Sequence, residues 1–281
     1  MVFLFKSRGI LKMMRIPIFG DLHGNIEGML GTLQYLQKKN KEIYWYVLQT
    51  GDFSFFPDVS QLDDATKKRW GNPSERGVTD FLNSSHIYTS YFLTPRDYQR
   101  LECKIIFIRG NHEDQNYLKR QELVVPEGLI SLDPFGVLFY LADGRAFSIQ
   151  TGNNSDLIVA GYGGISKESR PRSYKRNQKI SFCERGLDRL LSLNEIDVLM
   201  THQGPDSIAG GAEMISTLCS LLKPKIHIHG HSHKSSGPTL IDRTKSYSLG
   251  RIPESKKPIR RTGFYGLLEC GEELKFTLTT Q

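Results

Sequence analysis

Short apolar runs recur along this chain, and each is followed by a cluster of polar residues. Five runs rich in Val, Ile, Tyr or Phe are predicted as buried strands: Arg15–Phe19, Tyr44–Gln49, Lys104–Ile108, Asp197–Met200 and Lys225–Ile228. Apolar residues at helical spacing alternate with them, at Ile26–Leu36, Leu187–Ile196 and Met214–Leu222. The alternation predicts an α/β protein with a parallel or mixed sheet, in which chemistry lies at the carboxyl ends of the strands.

Two segments depart from this alternation. Residues 54–103 form a polar insert, and residues 136–165 are hairpin-like, with turn signals at Asp143-Gly144 and Gly152-Asn153-Asn154. A final hairpin is predicted at Phe264–Thr279. Because no repeat or linker divides the chain, we predict a single domain over residues 1–281, with an insert at about 54–103.

Composition and charge narrow the classes of protein that fit. With 38% hydrophobic and 24% charged residues, the 281-residue chain can build a core, which excludes a disordered or collagen-like chain. The positive charge that gives the net +7 is concentrated in two segments, since Ser166–Arg189 contributes +5 and Arg251–Arg261 contributes +4. A local basic stretch suggests an anionic partner. Arg251–Arg261 has no assigned role, and a solvated surface explains it equally well.

The four cysteines argue against a zinc ribbon or a disulfide scaffold, because they are far apart and form no CxxC pair. A reducing cytoplasm is therefore the expected location. No stretch reaches the roughly 18 apolar residues of a membrane span, so no membrane partner is expected. The oligomeric state stays open.

Metal-ligand residue types follow all five predicted strands. They are Asp21 and His23, Asp52, Asn111 with His112 and Glu113, His202, and His231 with His233. Each motif alone is weak evidence, since an Asp-x-His is commonly a helix cap. The ordered set is stronger: three oxygen donors and four imidazoles can hold two divalent ions if one carboxylate bridges them. Nitrogen and oxygen ligands without thiolate favour Mn, Fe, Zn or Ni.

This ordered set resembles the calcineurin-like metallophosphoesterase superfamily, whose pattern reads D-x-H, G-D, G-N-H-E, H and G-H-x-H. The match runs from Gly20 to His233, about three quarters of the chain. The resemblance implies a four-layer α-β-β-α sandwich with a two-metal centre at the sheet edge. It implies one metal on Asp21, His23, Asp52 and His233, and a second on Asp52, Asn111, His202 and His231. By the same resemblance His112 is the general acid.

Further motifs are similar to the RNA lariat-debranching branch of that superfamily. They are Gly51–Phe53, the long insert, Asn116–Leu118, Gly163–Ser166 with the basic segment after it, Thr201–Pro205 and Leu221–Pro224. Three positions depart from the branch. Asp21 stands where it has Cys, Arg109 where it has Gly, and Gly204-Pro205 where it has Trp-Pro. Asp21 predicts two well-occupied metals, and the likeness supports a phosphodiesterase more than it supports branched RNA.

These residues predict a metal-dependent phosphoester hydrolase. The first hypothesis is a phosphodiesterase that cleaves RNA or nucleotide diesters by attack of a metal-bridging hydroxide, with His112 protonating the leaving group. Arg109, Tyr174, Lys175 and Arg176 are expected to contact substrate phosphates. The alternative is a phosphomonoesterase, since Arg109-Gly-Asn-His-Glu resembles protein phosphatases, although no Asp-Arg-Gly follows Asp52. A non-catalytic binding scaffold is the remaining alternative.

Overall fold

A computed structural model describes residues 13–69, 71, 73–93, 100–125, 128–151, 156–169, 178–254 and 263–279. Two β-sheets form its centre. The first has seven strands in the order β13-β12-β1-β2-β3-β5-β4. Its strands are β1 (Met14–Phe19), β2 (Tyr46–Gln49), β3 (Lys104–Phe107), β4 (Leu129–Ser131), β5 (Leu138–Leu141), β12 (Tyr265–Cys270) and β13 (Leu274–Leu278). The four strands β1, β2, β3 and β5 are parallel, whereas β4, β12 and β13 extend the sheet in antiparallel pairs.

The second sheet has six strands in the order β10-β11-β9-β8-β7-β6. Its strands are β6 (Arg145–Gln150), β7 (Asp156–Tyr162), β8 (Val198–Thr201), β9 (Ile226–His229), β10 (Ser236–Ile241) and β11 (Thr244–Ser248). The four strands β7, β8, β9 and β11 are parallel, so their carboxyl ends lie along one edge, and β6 and β10 pair antiparallel at the two sides.

Seven α-helices flank the sheets in the described part of the chain. They are α1 (Ile26–Asn40), α2 (Asp64–Arg69), α3 (Gly77–Asn83), α4 (Ser85–Tyr88), α5 (Gln115–Val124), α6 (Glu184–Leu191) and α7 (Glu213–Leu222). One apolar cluster packs the two sheets against each other, through side chains such as Ile18 and Met200. A second packs α1 and α3 on the first sheet, and a third packs α6 and α7 on the second. The layers are therefore helix, sheet, sheet and helix, which confirms the predicted fold class.

The five predicted strands and the final hairpin are present, but two expectations about local structure are wrong. Helix α6 ends at Leu191, before Ile196, which lies buried between the helix and β8. The Asp143-Gly144 turn does not close a hairpin, because β5 belongs to the first sheet and β6 to the second. Gly144 has φ +73, and a Cβ there would lie 1.9 Å from the carbonyl oxygen of Gly186 in α6. Glycine therefore allows the chain to pass close to α6 where it crosses from the first sheet to the second.

Strands β6 and β7 pair antiparallel, as a hairpin requires, while the predicted turn at Gly152–Asn154 lies outside the described residues. Among the helices that the structure describes, none has the length and apolar character needed to cross a bilayer.

Candidate metal centre

The polar side chains that follow five parallel strands come together at the carboxyl ends of the two sheets. Asp21 and His23 follow β1, Asp52 follows β2, and Asn111 follows β3 in the first sheet, while His202 follows β8 and His231 and His233 follow β9 in the second. The structure thus brings together all seven residues that the resemblance implies as metal ligands.

The first group consists of Asp21, His23, Asp52 and His233, whose ligand atoms all lie within 4.8 Å of one another. The Nε2 atoms of His23 and His233 are 3.0 Å apart, and His233 Nε2 is 3.1 Å from Asp21 Oδ2. The four donor atoms are therefore close enough together to bind one cation.

The second group consists of Asp52, His202 and His231, again with ligand atoms within 4.8 Å. The side-chain oxygen of Asn111 lies 3.2 Å from His202 Nε2 and adds a fourth donor. Asp52 belongs to both groups: its Oδ1 lies 3.3 Å from His202 Nε2, whereas its Oδ2 lies 3.6 Å from His23 Nε2. One carboxylate oxygen faces each group, which is the arrangement of a bridging ligand.

Backbone groups hold these side chains in place. His202 Nδ1 is 2.9 Å from the carbonyl oxygen of Thr50, which can only accept, so Nδ1 carries a proton and Nε2 is the ring nitrogen that faces Asp52 and Asn111. Asp52 Oδ1 accepts from the N–H groups of Asn111 and His112, at 2.8 and 2.9 Å. A Cβ at Gly230 would lie 2.1 Å from Asp21 Oδ1, so glycine allows β9 to approach the carboxylate.

Four of the candidate ligands have backbone angles that L-residues seldom adopt. The φ angles of His23, Asp52, His231 and His233 are +44, +52, +65 and +57. Such conformations cost of order 1–3 kcal/mol each and are concentrated at functional sites, where the surrounding fold imposes them. The sharp turn at each strand end directs the side chain toward the neighbouring ligand loops.

Burial controls the protonation of the imidazoles. Burial lowers the pKa of His23 to about 3 and that of His231 to about 4, so both rings are neutral at pH 7, as ligands must be. Burial also lowers the pKa of His202, but the charge and hydrogen bond of Asp52 outweigh it and raise the value to about 9. Burial raises the pKa of Asp52, yet His202 and His112 bring it well below its usual range, so Asp52 stays a carboxylate.

Divalent cations fit this set of donors. Asp21, His23, Asp52 and His202 are at most 2% exposed, and buried carboxylates and imidazoles need hydrogen bonds or metal ions as partners. The donors are carboxylate, amide and imidazole, without thiolate, a chemistry that suits Mn, Fe, Zn or Ni. A cation would also neutralise the carboxylates that raise the pKa of His202.

His112 lies beside the two groups, and its partner is a residue that the sequence analysis missed. Its ring centroid is 5.2 Å from that of His23, and its Nδ1 is 3.0 Å from Asp63 Oδ2. Because that carboxylate accepts the Nδ1 proton, the Nδ1 side of the ring is held by Asp63. Asp63 comes from the insert, 49 residues before His112, and its only local signal was that of a cap for α2.

Arg109 lies next to the site, but its guanidinium is engaged within the protein. It forms an ion pair with Asp143, with Nη2 2.6 Å and Nε 2.7 Å from one carboxylate oxygen. It also donates to Gln115 and to the carbonyl oxygens of Lys179 and Ser181. Its contact with phosphate stays a prediction, and such a contact would require some of these bonds to be given up.

The other predicted substrate contacts, Tyr174, Lys175 and Arg176, lie outside the described residues, as does most of Arg251–Arg261. Arg251 itself is described: its Nη2 lies 2.8 Å from Glu75 in the insert. The next residue, Ile252, donates its N–H to the carbonyl oxygen of Asp21. This segment therefore joins the insert to the loop that carries the first candidate ligands.

Comparison with known proteins agrees with this geometry. The family model described as calcineurin-like phosphoesterase matches residues 14–235. No curated protein sequence matches the chain significantly. Similar solved structures include TT1561 of Thermus thermophilus (14% identity, 95% of this chain and 99% of that one, TM-score 0.52) and a dimetal phosphatase from Danio rerio (14%, 94% and 95%, TM-score 0.50). Another is GAP50, named as the anchor in the inner membrane complex of Plasmodium (13%, 95% and 84%, TM-score 0.53).

At these identities the structures establish a shared fold, while the family match covers well over half of the chain. The chain belongs to the calcineurin-like phosphoesterase family and is a metal-dependent phosphoester hydrolase.

Proposed function

We propose that this hydrolase is a phosphodiesterase that acts on RNA or nucleotide phosphodiesters. The observation that carries the proposal is the pair of ligand groups sharing Asp52, with His112 beside them. The motifs similar to the lariat-debranching branch and the basic stretch Ser166–Arg189 support a nucleic-acid or nucleotide substrate.

The ligand assignment that we propose follows the two groups. Asp21, His23, Asp52 and His233 would hold one cation, and Asp52, Asn111, His202 and His231 the other. When bound, two such cations supply Lewis-acid polarisation of the phosphoryl oxygens and a water nucleophile at neutral pH. Mn, Fe, Zn and Ni all suit these donors.

His112 is the general acid in this proposal. Its Nδ1 proton is held by Asp63 at 3.0 Å, so proton donation falls to Nε2. The N–H of His112 also donates to Asp52, which fixes the backbone of the acid relative to the shared carboxylate. A proton delivered to the leaving oxygen is typically worth about 10²–10⁴ in rate.

A phosphomonoesterase is the second candidate, because Arg109 stands before Asn111 as it does in phosphatases of the same superfamily. The bonds from its guanidinium to Asp143 and two carbonyl groups weigh against a role in gripping phosphate. A non-catalytic scaffold is the remaining alternative. We also propose a reducing cytoplasm as the location, in keeping with four free cysteines.

The test compares two small substrates. The full chain loaded with Mn²⁺ should hydrolyse bis-p-nitrophenyl phosphate faster than p-nitrophenyl phosphate. The opposite order would favour the monoesterase, and no hydrolysis of either with Mn, Fe, Zn, Ni or Co would favour the scaffold. Linear, 2′,5′-branched and cyclic diesters, assayed side by side, would then identify the kind of diester.

A further inference from the structure

A cleft of about 680 Å³ lies between α5 and the start of α6, and it is lined in part by Gln115, Lys119, Ser181 and Arg185. We refer to it as the α5–α6 cleft. It begins close to the candidate metal centre, because Gln115 is four residues after Asn111 and its side-chain amide donates to the carbonyl oxygen of Gly110 at 3.0 Å. The loop that carries Asn111 therefore also forms one end of this cleft, where Arg109 lines it.

The charged side chains that line the cleft are predominantly positive. Two of its cations are paired with acids: Arg109 with Asp143 at 2.6 Å, and Arg189 with Glu122 at 3.7 Å. The remaining charged residues of the lining are Lys119, Lys167, Lys179, Arg185 and a single acid, Glu184. In all, six cations against three carboxylates give the lining of this cleft a net positive charge, which attracts anions.

Two polar features of the cleft also suit an anion. Helix α6 begins at Glu184 after Cys183, which forms no side-chain cap, so no capping oxygen accepts from the N–H groups of its first turn, and Glu184 is the one acid in that turn. Ser181, two residues earlier, lines the cleft and is 4% exposed. Its Oγ is buried and has no hydrogen-bond partner among the described residues, whereas buried hydroxyls normally have one.

A second cavity, of about 560 Å³, continues the cleft on its other side. The two cavities share Lys167, Phe182 and Glu184. The second is lined by apolar side chains as well, among them Tyr162, whose ring stacks on Phe182 with centroids 5.4 Å apart, and Met214. Its charged lining is one cation, Lys167, against Glu168, Glu184 and Glu213, so the positive potential belongs to the α5–α6 cleft and not to this cavity.

We propose that the α5–α6 cleft is a substrate subsite that binds a phosphate group of an oligonucleotide, next to the diester undergoing hydrolysis. Arg185, Lys119, the Ser181 hydroxyl and the first turn of α6 bind that phosphate. This inference rests on the proposed function, because it requires a substrate longer than one phosphodiester.

The experiment measures binding rather than turnover. Fluorescence anisotropy gives the Kd of the full chain, loaded with Mn²⁺, for a short fluorescein-labelled oligoribonucleotide with phosphorothioate linkages, which are hydrolysed slowly. Arg185→Glu should raise the Kd about tenfold, the equivalent of one charge-assisted hydrogen bond, and should lower the slope of log Kd against log salt by about one. Arg185→Glu also places an acid in the first turn of α6, four residues before Arg189, so the helix should be retained.

Arg243→Glu is the matched control, because Arg243 is exposed in the turn between β10 and β11 and lines neither cavity. It should leave the Kd unchanged. Ser181→Ala keeps the charge of the protein and should raise the Kd about threefold to tenfold without loss of thermal stability. Equal effects of Arg185→Glu and Arg243→Glu, or a Kd unaffected by both cleft variants, would overturn the subsite. Since binding is read without turnover, an inactive wild-type enzyme would refute the phosphodiesterase proposal separately.

Discussion

Asp63→Asn separates the two tasks of Asp63. Its Oδ1 accepts from the N–H groups of Ala65 and Thr66, at 2.9 and 3.0 Å, and so caps α2. Its Oδ2 accepts from the Thr66 hydroxyl at 2.7 Å and from His112 Nδ1 at 3.0 Å. An asparagine with its oxygen at the Oδ1 position preserves the cap, worth about 1 kcal/mol, but places an NH₂ group against the Nδ1 proton. The variant therefore changes the partner of His112, and the Thr66 hydroxyl, which can also accept, then faces the NH₂ group.

The expected result is a loss of turnover that depends on the leaving group. We expect kcat for a dinucleotide, whose alkoxide needs a proton to leave, to fall about 10²-fold, the lower part of the range for general-acid catalysis. Hydrolysis of bis-p-nitrophenyl phosphate should fall much less, because p-nitrophenolate leaves without protonation. Metal content, measured by mass spectrometry, should be unchanged, since Asp63 belongs to neither group of candidate ligands.

Asp58→Asn provides the matched control in the same insert. Asp58 accepts from the N–H and the hydroxyl of Ser60, both at 2.8 Å, and is not bonded to His112. It should leave both rates as they are. An equal fall with the two substrates in Asp63→Asn would mean that proton donation is not what the carboxylate supports. An unchanged dinucleotide rate would mean that Asp63 does not act through His112.

Three further predictions concern the metals and the fold. Asp52→Ala should lose both metal ions, and a full metal complement by mass spectrometry would contradict the shared-ligand assignment. Arg109→Met should lower the free energy of unfolding in urea by about 3–5 kcal/mol, because Asp143 is left buried without its partner, and Arg109→Met with Asp143→Asn should recover part of that loss. Burial holds the pKa of His227 well below its ordinary value of 6.5. As the pH falls below 6.5, His227 is therefore protonated in the unfolded chain but not in the folded one. The free energy of unfolding should keep its full value above pH 6.5 and fall by about 2 kcal/mol by pH 5.0. His227→Asn should remove that part of the pH dependence, and an unchanged slope in urea titrations would contradict the assignment.

The positions of the candidate ligands could be predicted from the sequence because local pattern determines them. Each follows a run of about five apolar residues, and parallel strands present their carboxyl ends at one edge. His202, for example, follows Thr201 at the end of β8, and His231 follows β9 beside it. Thr201 pairs with His229 in the parallel register of β8 and β9, so the loops that follow the two strands are neighbours. The order of the strands is enough to predict this.

Contacts between distant segments could not be predicted in this way. Asp63 reaches His112 across 49 residues, and Asp143 reaches Arg109 across 34. Neither acid stands in a periodic pattern that distinguishes it from a surface carboxylate. The sequence motif around Arg109 predicted a phosphate contact, whereas in the structure its guanidinium donates to a buried carboxylate and two carbonyl groups. The pairing with Asp143 depends on the crossing of the chain between the two sheets.

The origins of these residues suggest that metal binding and substrate selection are separable in this protein. The candidate ligands lie on turns between packed strands, and four of them have positive φ angles that only a rigid double sheet maintains. Asp63 comes instead from the insert, and most of the lining of the α5–α6 cleft comes from α5, α6 and the residues just before α6. Asp63→Asn and Arg185→Glu should accordingly change rate and affinity for nucleotide substrates with the metals retained, whereas Asp52→Ala should abolish hydrolysis of every phosphoester.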